Sequence, residues 1–132
     1  MIPPSLLQNT WRRLTVSANT KTIRRTLSSR TDTVAKMHQL FNSQITKEMN
    51  ASQLYLSASI WFSEKELTGM ADFALNESLE ERTHALELID FGLKLGFPVD
   101  LEALPAPNAH WPSIEALWVD LLEAEKKNSA SL

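Results

Sequence analysis

The sequence predicts an all-α protein, an up-and-down helix bundle, and three observations carry that expectation. From residue 32 onward the apolar residues recur in alternating steps of four and three, the period at which one face of a bundle helix is buried. Glycine occurs only three times in 132 residues, against 43% hydrophobic residues. The strong helix breakers also gather in one place, Gly96, Pro98, Pro105 and Pro107, leaving long uninterrupted stretches on either side.

Residues 1–31 stand apart from this pattern. They hold six basic residues (Arg12, Arg13, Lys21, Arg24, Arg25 and Arg30), no acidic one, and many Ser and Thr. That acid-poor, Arg- and Ser-rich composition is typical of a transit peptide. Residues 1–31 are therefore expected to be a disordered leader that directs import into a mitochondrion or plastid, with a cleavage point within residues 24–29. A flexible basic tail, or an arm that binds nucleic acid, in a cytoplasmic protein is the competing reading. It fits less well because Trp11 is the only aromatic residue interleaved with the charges. From Thr31 to Leu132 seven basic residues face all sixteen acidic ones, a formal charge of −9 hidden within the overall −3.

Residues 32–132 form the expected helical domain. Its first segment, about 32–63, places Phe41, Ile45, Glu48, Ser52, Tyr55, Ser59 and Phe62 on one seam, with Asp32 or Thr33 able to cap its start. The second, about 67–95, repeats the pattern with Met70, Phe73, Glu77, Glu81, His84, Leu88, Phe91 and Leu95. Gly96 suits the left-handed residue that ends a helix, and Pro98 prevents continuation. The connection of about 96–112 is long enough to run the length of a bundle, so the next helix can lie parallel to the second. Ser113 caps the third segment, about 113–128, where Leu117 or Trp118 shares a face with Leu121 and Glu125. The sequence ends within that pattern, and a three-helix, incomplete bundle lacking a fourth amphipathic segment is expected.

Composition removes several chemistries. There is no Cys, so disulfides, iron–sulfur clusters and thiolate zinc sites are excluded, leaving carboxylate, imidazole and carbonyl ligands for any metal. No apolar run approaches the roughly 20 residues that span a bilayer, and no membrane partner is expected. A Gly-rich phosphate loop, a His-Glu-x-x-His pair and a nucleophile elbow are all missing.

What remains is a set of polar residues at nominally buried positions. Glu81 and His84, three apart, share a helix face, and a Glu-x-x-His pair aimed into a bundle is a half-site for di-iron chemistry. Alone the spacing is weak evidence. Glu48 on the first seam and Glu125 on the third add two more inward carboxylates. Uncompensated, each would cost several kcal/mol in a low-dielectric core, and a bound cation removes that penalty. Tyr55, seven residues after Glu48, lies on the same stripe. Glu77 and Glu80 fit accessory carboxylates, and a solvated helix face explains Glu80 equally well, while His38 and His110 match no ligand spacing.

At this point the residues resemble a known family. The run Gln44-Ile45-Thr46-Lys47-Glu48-Met49-Asn50-Ala51-Ser52-Gln53-Leu54-Tyr55 resembles the first-helix motif of ferritins. Glu80-Glu81-Arg82-Thr83-His84-Ala85 resembles their second-helix motif, and residues 122–132 are similar to their third helix around a metal-binding glutamate. Ala58-Ser59-Ile60-Trp61-Phe62 and Pro105-Ala106-Pro107 look closest to ferritins of algae and marine bacteria. The resemblance covers about His38 to Leu132. It implies that Glu48 and His84 bind the first iron of a ferroxidase centre, that Glu81 bridges two irons, and that Glu125 binds the second. Tyr55 would lie beside the pair as a hydrogen-bond or electron donor, and Glu80 would be an inner-surface carboxylate.

The implied function is iron storage: ferrous ions are oxidised by dioxygen and held as a ferric mineral inside a shell of ferritin subunits, homo- or hetero-oligomeric. Thr83 stands where many animal ferritins carry a further glutamate. Two alternatives accompany this reading. One is an incomplete, catalytically incompetent chain that inserts into ferritin shells as a partner; the other is a different ferritin-like di-iron oxidoreductase, which would require a second Glu-x-x-His.

Overall fold

In the computed structural model of the chain, residues 20–130 are described, and they form three helices with no strand among them. Helix α1 spans Thr20–Glu64, α2 spans Thr68–Lys94 and α3 spans Ile114–Ala130. The chain divides into two units at His38.

Residues 20–37, the described part of the first unit, are helical throughout and largely exposed, including Leu27, Val34 and Met37. The expected helix start at Asp32 is therefore displaced by about a dozen residues, and residues 20–31 are helical rather than disordered. The physical reason lies in the hydroxyls. Thr26, Thr31 and Thr33 each donate to the carbonyl four residues earlier, at Thr22, Leu27 and Ser29. Side chains that suggest a cap in the sequence are satisfied inside the helix, and no Pro or Gly intervenes. The rest of the proposed leader, residues 1–19, lies outside the described residues.

In the second unit α2 returns antiparallel along α1. Ser59 Oγ donates to the Ala71 carbonyl (2.8 Å), Ser52 and Ser78 exchange hydroxyl-to-carbonyl hydrogen bonds (2.8 and 2.7 Å), and Phe41 lies over Gly92. The two helices approach closely because their facing residues are small. Ala71, Ala74, Ser78, Ala85 and Gly92 are the buried positions of α2, together with Glu81. This corrects the expected seam: Phe73, His84, Phe91 and Leu95 are exposed, so the buried face is turned toward the small side chains. A pattern of large apolar residues does not register that contact, because helices in close approach gain dispersion contact from what their facing side chains lack in bulk.

The connection after α2 runs back along α1. Asn42 reaches the Pro98 carbonyl and the Asp100 amide, Thr46 reaches Glu102 (3.0 Å), and Ser57 donates to the Asn108 carbonyl (2.6 Å). These anchors climb about 22 Å of helix at ~1.5 Å per residue. The expected crossover is thus observed, and α3 runs parallel to α2. Ser113 caps it as expected, its Oγ accepting from the Ala116 amide (3.1 Å). Leu117, not Trp118, is the fully buried residue of the pair. The main core joins Tyr55, Ala58, Trp61 and Phe62 of α1 to Ala71 and Ala74 of α2 and to Trp111, Leu117 and Leu121. Asp120 accepts from Trp111 Nε1 (2.9 Å) and Asn108 Nδ2 (3.3 Å), tying the connection to α3.

Both α1 and α2 end in the same hydrogen-bonded reversal. Leu67 N–H reaches the Phe62 carbonyl with Glu66 at φ 58°, and Phe97 N–H reaches the Gly92 carbonyl with Gly96 at φ 75°. Glycine takes that left-handed conformation freely, while a side chain is strained in it by about 1 kcal/mol. Opposite outcomes are expected in urea unfolding: Glu66→Gly stabilises by about 1 kcal/mol, and Gly96→Ala destabilises by a similar amount. Gly92 is constrained differently, by space: a Cβ there would lie 2.7 Å from the Phe41 ring and 3.2 Å from Val99. Gly92→Val is expected to cost about 1–3 kcal/mol through overpacking, read as a lowered melting temperature.

Candidate metal centre

Three donors converge between α1 and α2. Glu48 lies one turn before Ser52, and Glu81 lies nearly one turn after Ser78, so the reciprocal serine contact sets the two carboxylates opposite each other. His84, three residues beyond Glu81, brings its ring to the same place. One ligand atom from each of Glu48, Glu81 and His84 falls within 4.8 Å of the other two. His84 Nδ1 is 3.4 Å from Glu81 Oε2 and 3.8 Å from Glu48 Oε2.

The bare side chains make a hydrogen bond between His84 Nδ1 and Glu81 Oε2, and the spacings also suit ligands that share an ion. Two ligands on one ion, each about 2.1 Å from it, stand roughly 3.0 Å apart when adjacent and 4.2 Å apart when opposite. The two His84 separations, 3.4 and 3.8 Å, lie in that range. The two carboxylates match the charge of a divalent cation, and oxygen with imidazole nitrogen suits iron, manganese or zinc. The carboxylate side chains are only 12% and 15% exposed, while His84 is 53% exposed.

The electrostatics carry the same signature. Burial first, and then the adjoining carboxylate of Glu48, push the Glu81 carboxyl up to about 7, with the His84 ring opposing. Glu77, also on α2, is raised by burial and then by Glu80 and Glu125, against the opposing influence of His84. Negative charge is therefore crowded at this level of the bundle.

Glu125 approaches from α3 but stands outside the three-donor cluster. It accepts a hydrogen bond from the Tyr55 hydroxyl at 2.7 Å and acts electrostatically on both Glu77 and Glu81. Tyr55 is buried, and burial, this bond and the nearby carboxylates push its phenol well above the usual range, so it stays a donor. The structure thus gathers Glu48, Glu81 and His84, and links Tyr55 to Glu125 beside them. Glu80 is exposed and lines a separate depression with Thr83, His84 and Glu87. His38 packs edge-on against Phe97, and the His110 backbone amide bonds the Asn108 side chain, so both stand apart from the cluster. One neighbour has no counterpart in the sequence reading: Gln44 Nε2 donates to Glu48 Oε1 at 2.9 Å. Its only advance signal is the i, i+4 spacing.

Comparison with known proteins follows the same residues. The family model described as a ferritin-like domain matches residues 38–132. A bacterial non-heme ferritin of Campylobacter jejuni is 34% identical over 88 residues, covering 67% of this chain and 53% of its own length. Apo-ferritin from Pseudo-nitzschia multiseries superposes with a TM-score of 0.69 at 49% identity, over 71% of this chain and 60% of that one. A PmFTN variant soaked in iron gives 0.71 at 46% identity, over 74% and 62%. The chain spans about half the length of the curated relative it matches.

Proposed function

Since the chain belongs to the ferritin family, we propose that it is an iron-storage subunit whose ferrous substrate binds at Glu48, Glu81 and His84. The observation that carries this reading is the convergence of two largely buried carboxylates and one imidazole within ligand distance of one another. The ion supplies the charge that two crowded carboxylates lack, so its entry offsets the burial, and then the influence of Glu48, that hold a proton on Glu81. Glu125 supplies a carboxylate for a second ferrous ion, with Glu81 between the two. Tyr55, donating to Glu125, holds that carboxylate in place. The two ferrous ions together give two electrons to one dioxygen, which takes two protons from water to become hydrogen peroxide, and the ferric product is stored within a shell of ferritin subunits.

Exposed Leu79, Leu86 and Leu93, seven residues apart along one face of α2, favour assembly, since a row of large apolar side chains is usually covered by a partner. Further ferritin subunits are the proposed cover, in a homo- or hetero-oligomeric shell. Among the described residues no helix is long and apolar enough to cross a membrane. Import into a mitochondrion or plastid through the basic leader is also proposed, and a reporter fused after residue 31 is expected to reach the organelle.

The test is oxygen uptake on adding ferrous iron to the full chain, alone and mixed with complete ferritin subunits. Iron-dependent uptake that Glu81→Ala abolishes is the expected result. Uptake equal to a protein-free control, with co-assembly into shells of complete subunits, would select the partner-subunit reading over catalysis by this chain.

A further inference from the structure

The proposed ion site leaves one hydrogen bond without a role. Gln44 precedes Glu48 by one turn of α1 and is half-buried, and its side-chain nitrogen sits 2.9 Å from Glu48 Oε1. A carboxylate only accepts hydrogen bonds, so the amide must present its NH2 group there. The other oxygen of Glu48, Oε2, is the one 3.8 Å from His84 Nδ1. The two oxygens are thus divided between an amide on one side and the donor cluster on the other.

We propose that Gln44 is a positioning residue, holding Glu48 as a one-oxygen ligand aimed at the ion it shares with Glu81 and His84. The inference rests on reading that cluster as an ion site. Glu48 has three side-chain torsions, and a hydrogen bond that fixes one of its oxygens narrows the directions in which the other can point. The position of the amide leaves Oε2 on the side of Glu81 and His84. Gln44, Glu48 and His84 line one open cleft of about 550 Å³, the side from which water would otherwise compete for the carboxylate. An uncharged donor suits this place better than Lys or Arg, which would also restrain Glu48 but would repel an arriving cation. Engaging Oε1 further disfavours two-oxygen chelation, which leaves more positions on the ion for water or dioxygen.

Cobalt(II), which air does not oxidise in such a site, is the probe, titrated into the full chain by calorimetry and by visible absorption. Gln44→Leu keeps the bulk and removes the donor, Gln44→Met does so without branching, and both are compared with Glu48→Gln. Expected for the two Gln44 variants is an affinity about 10–100-fold below wild type, the usual effect of removing a partner that orients a ligand. The ligand-field bands should change in intensity as Glu48 shifts its binding mode, while the melting temperature of the metal-free protein stays within a degree or two of wild type. Wild-type affinity and spectrum in Gln44→Leu and Gln44→Met, with Glu48→Gln impaired, would overturn the role of Gln44 and leave the ion site standing. Affinity lost only in proportion to lost helix or melting temperature would overturn it as well, since a structural role explains that. No cobalt binding by the wild-type chain would overturn the ion-site reading itself, and this inference with it.

Discussion

Glu81→Gln is expected to make the metal-free protein more stable at pH 8 while removing its affinity for divalent ions. The Glu81 carboxyl is lifted from 4.5 to about 7, chiefly by burial and next by Glu48. Between those values the folded chain holds a proton that the unfolded chain has released. The stability contributed by this group is therefore full below about pH 4.5, declines as pH rises, and is gone above about pH 7. At ~1.36 kcal/mol per pH unit the loss is of the order of 3 kcal/mol. Glutamine keeps the shape and the neutral hydrogen-bonding capacity, so the slope attributable to this group disappears and the pH 8 deficit is recovered.

An ion reverses the ranking. It must displace the proton, so wild-type affinity rises with pH up to about 7, and the neutral glutamine side chain of the variant cannot replace the lost charge. The expected loss of affinity is at least the upper end of the ~10–100-fold seen when an orienting partner is removed, because here the ligand itself goes. Urea midpoints from pH 4.5 to 8, with and without cobalt(II), check both halves. An identical pH slope in wild type and Glu81→Gln would remove the physical basis assigned to this carboxyl.

Phe62→Ala is expected to be the most damaging single truncation, at about 3–5 kcal/mol. Phe62 is fully buried where all three helices meet. Its ring stands edge-on to Trp61 at 5.7 Å and tilted toward Trp118 at 5.8 Å. Ala58, Ala71 and Ala74 also line this core. Alanines have no atoms with which to refill the space, so the cavity persists and the loss falls at the high end. Against a usual total of about 5–15 kcal/mol, that brings the domain close to unfolding. Phe91, in contrast, is 54% exposed, and Phe91→Ala in the isolated chain is expected to cost under about 1 kcal/mol. Equal urea midpoints for the two variants would show that the three helices do not pack around Phe62 in solution.

Most of the helices can be read from residue order because the rules that make them are short-range. Gly96 ends α2 because glycine alone takes its φ of 75° without strain, and Ser113 starts α3 because its hydroxyl reaches an amide three residues on. The long connection announces a crossover through its prolines, and α3 lies parallel to α2 accordingly. Glu48, Glu81 and His84, which meet at the candidate centre, were legible from their spacing on two helices, since inward carboxylates are costly unless they share an ion, although His84 itself is exposed.

One local choice stayed open in the residue order: a cap at Asp32 and a helix that passes through it read alike, and in α1 the threonine hydroxyls bond back four residues within the helix. Tertiary packing decided the rest. The rotation of α2 toward its small residues depends on how closely α1 approaches, and that distance is set by the paired Ser52 and Ser78. The division of labour around Glu48, with Gln44 on one oxygen and the donor cluster on the other, exists only once two helices have docked. Residue order by itself determined which groups are available, since capping, helix termination and periodicity act within a few residues. Only the packed structure decided which faces and atoms meet, since that depends on contacts between residues as far apart as Tyr55 and Glu125.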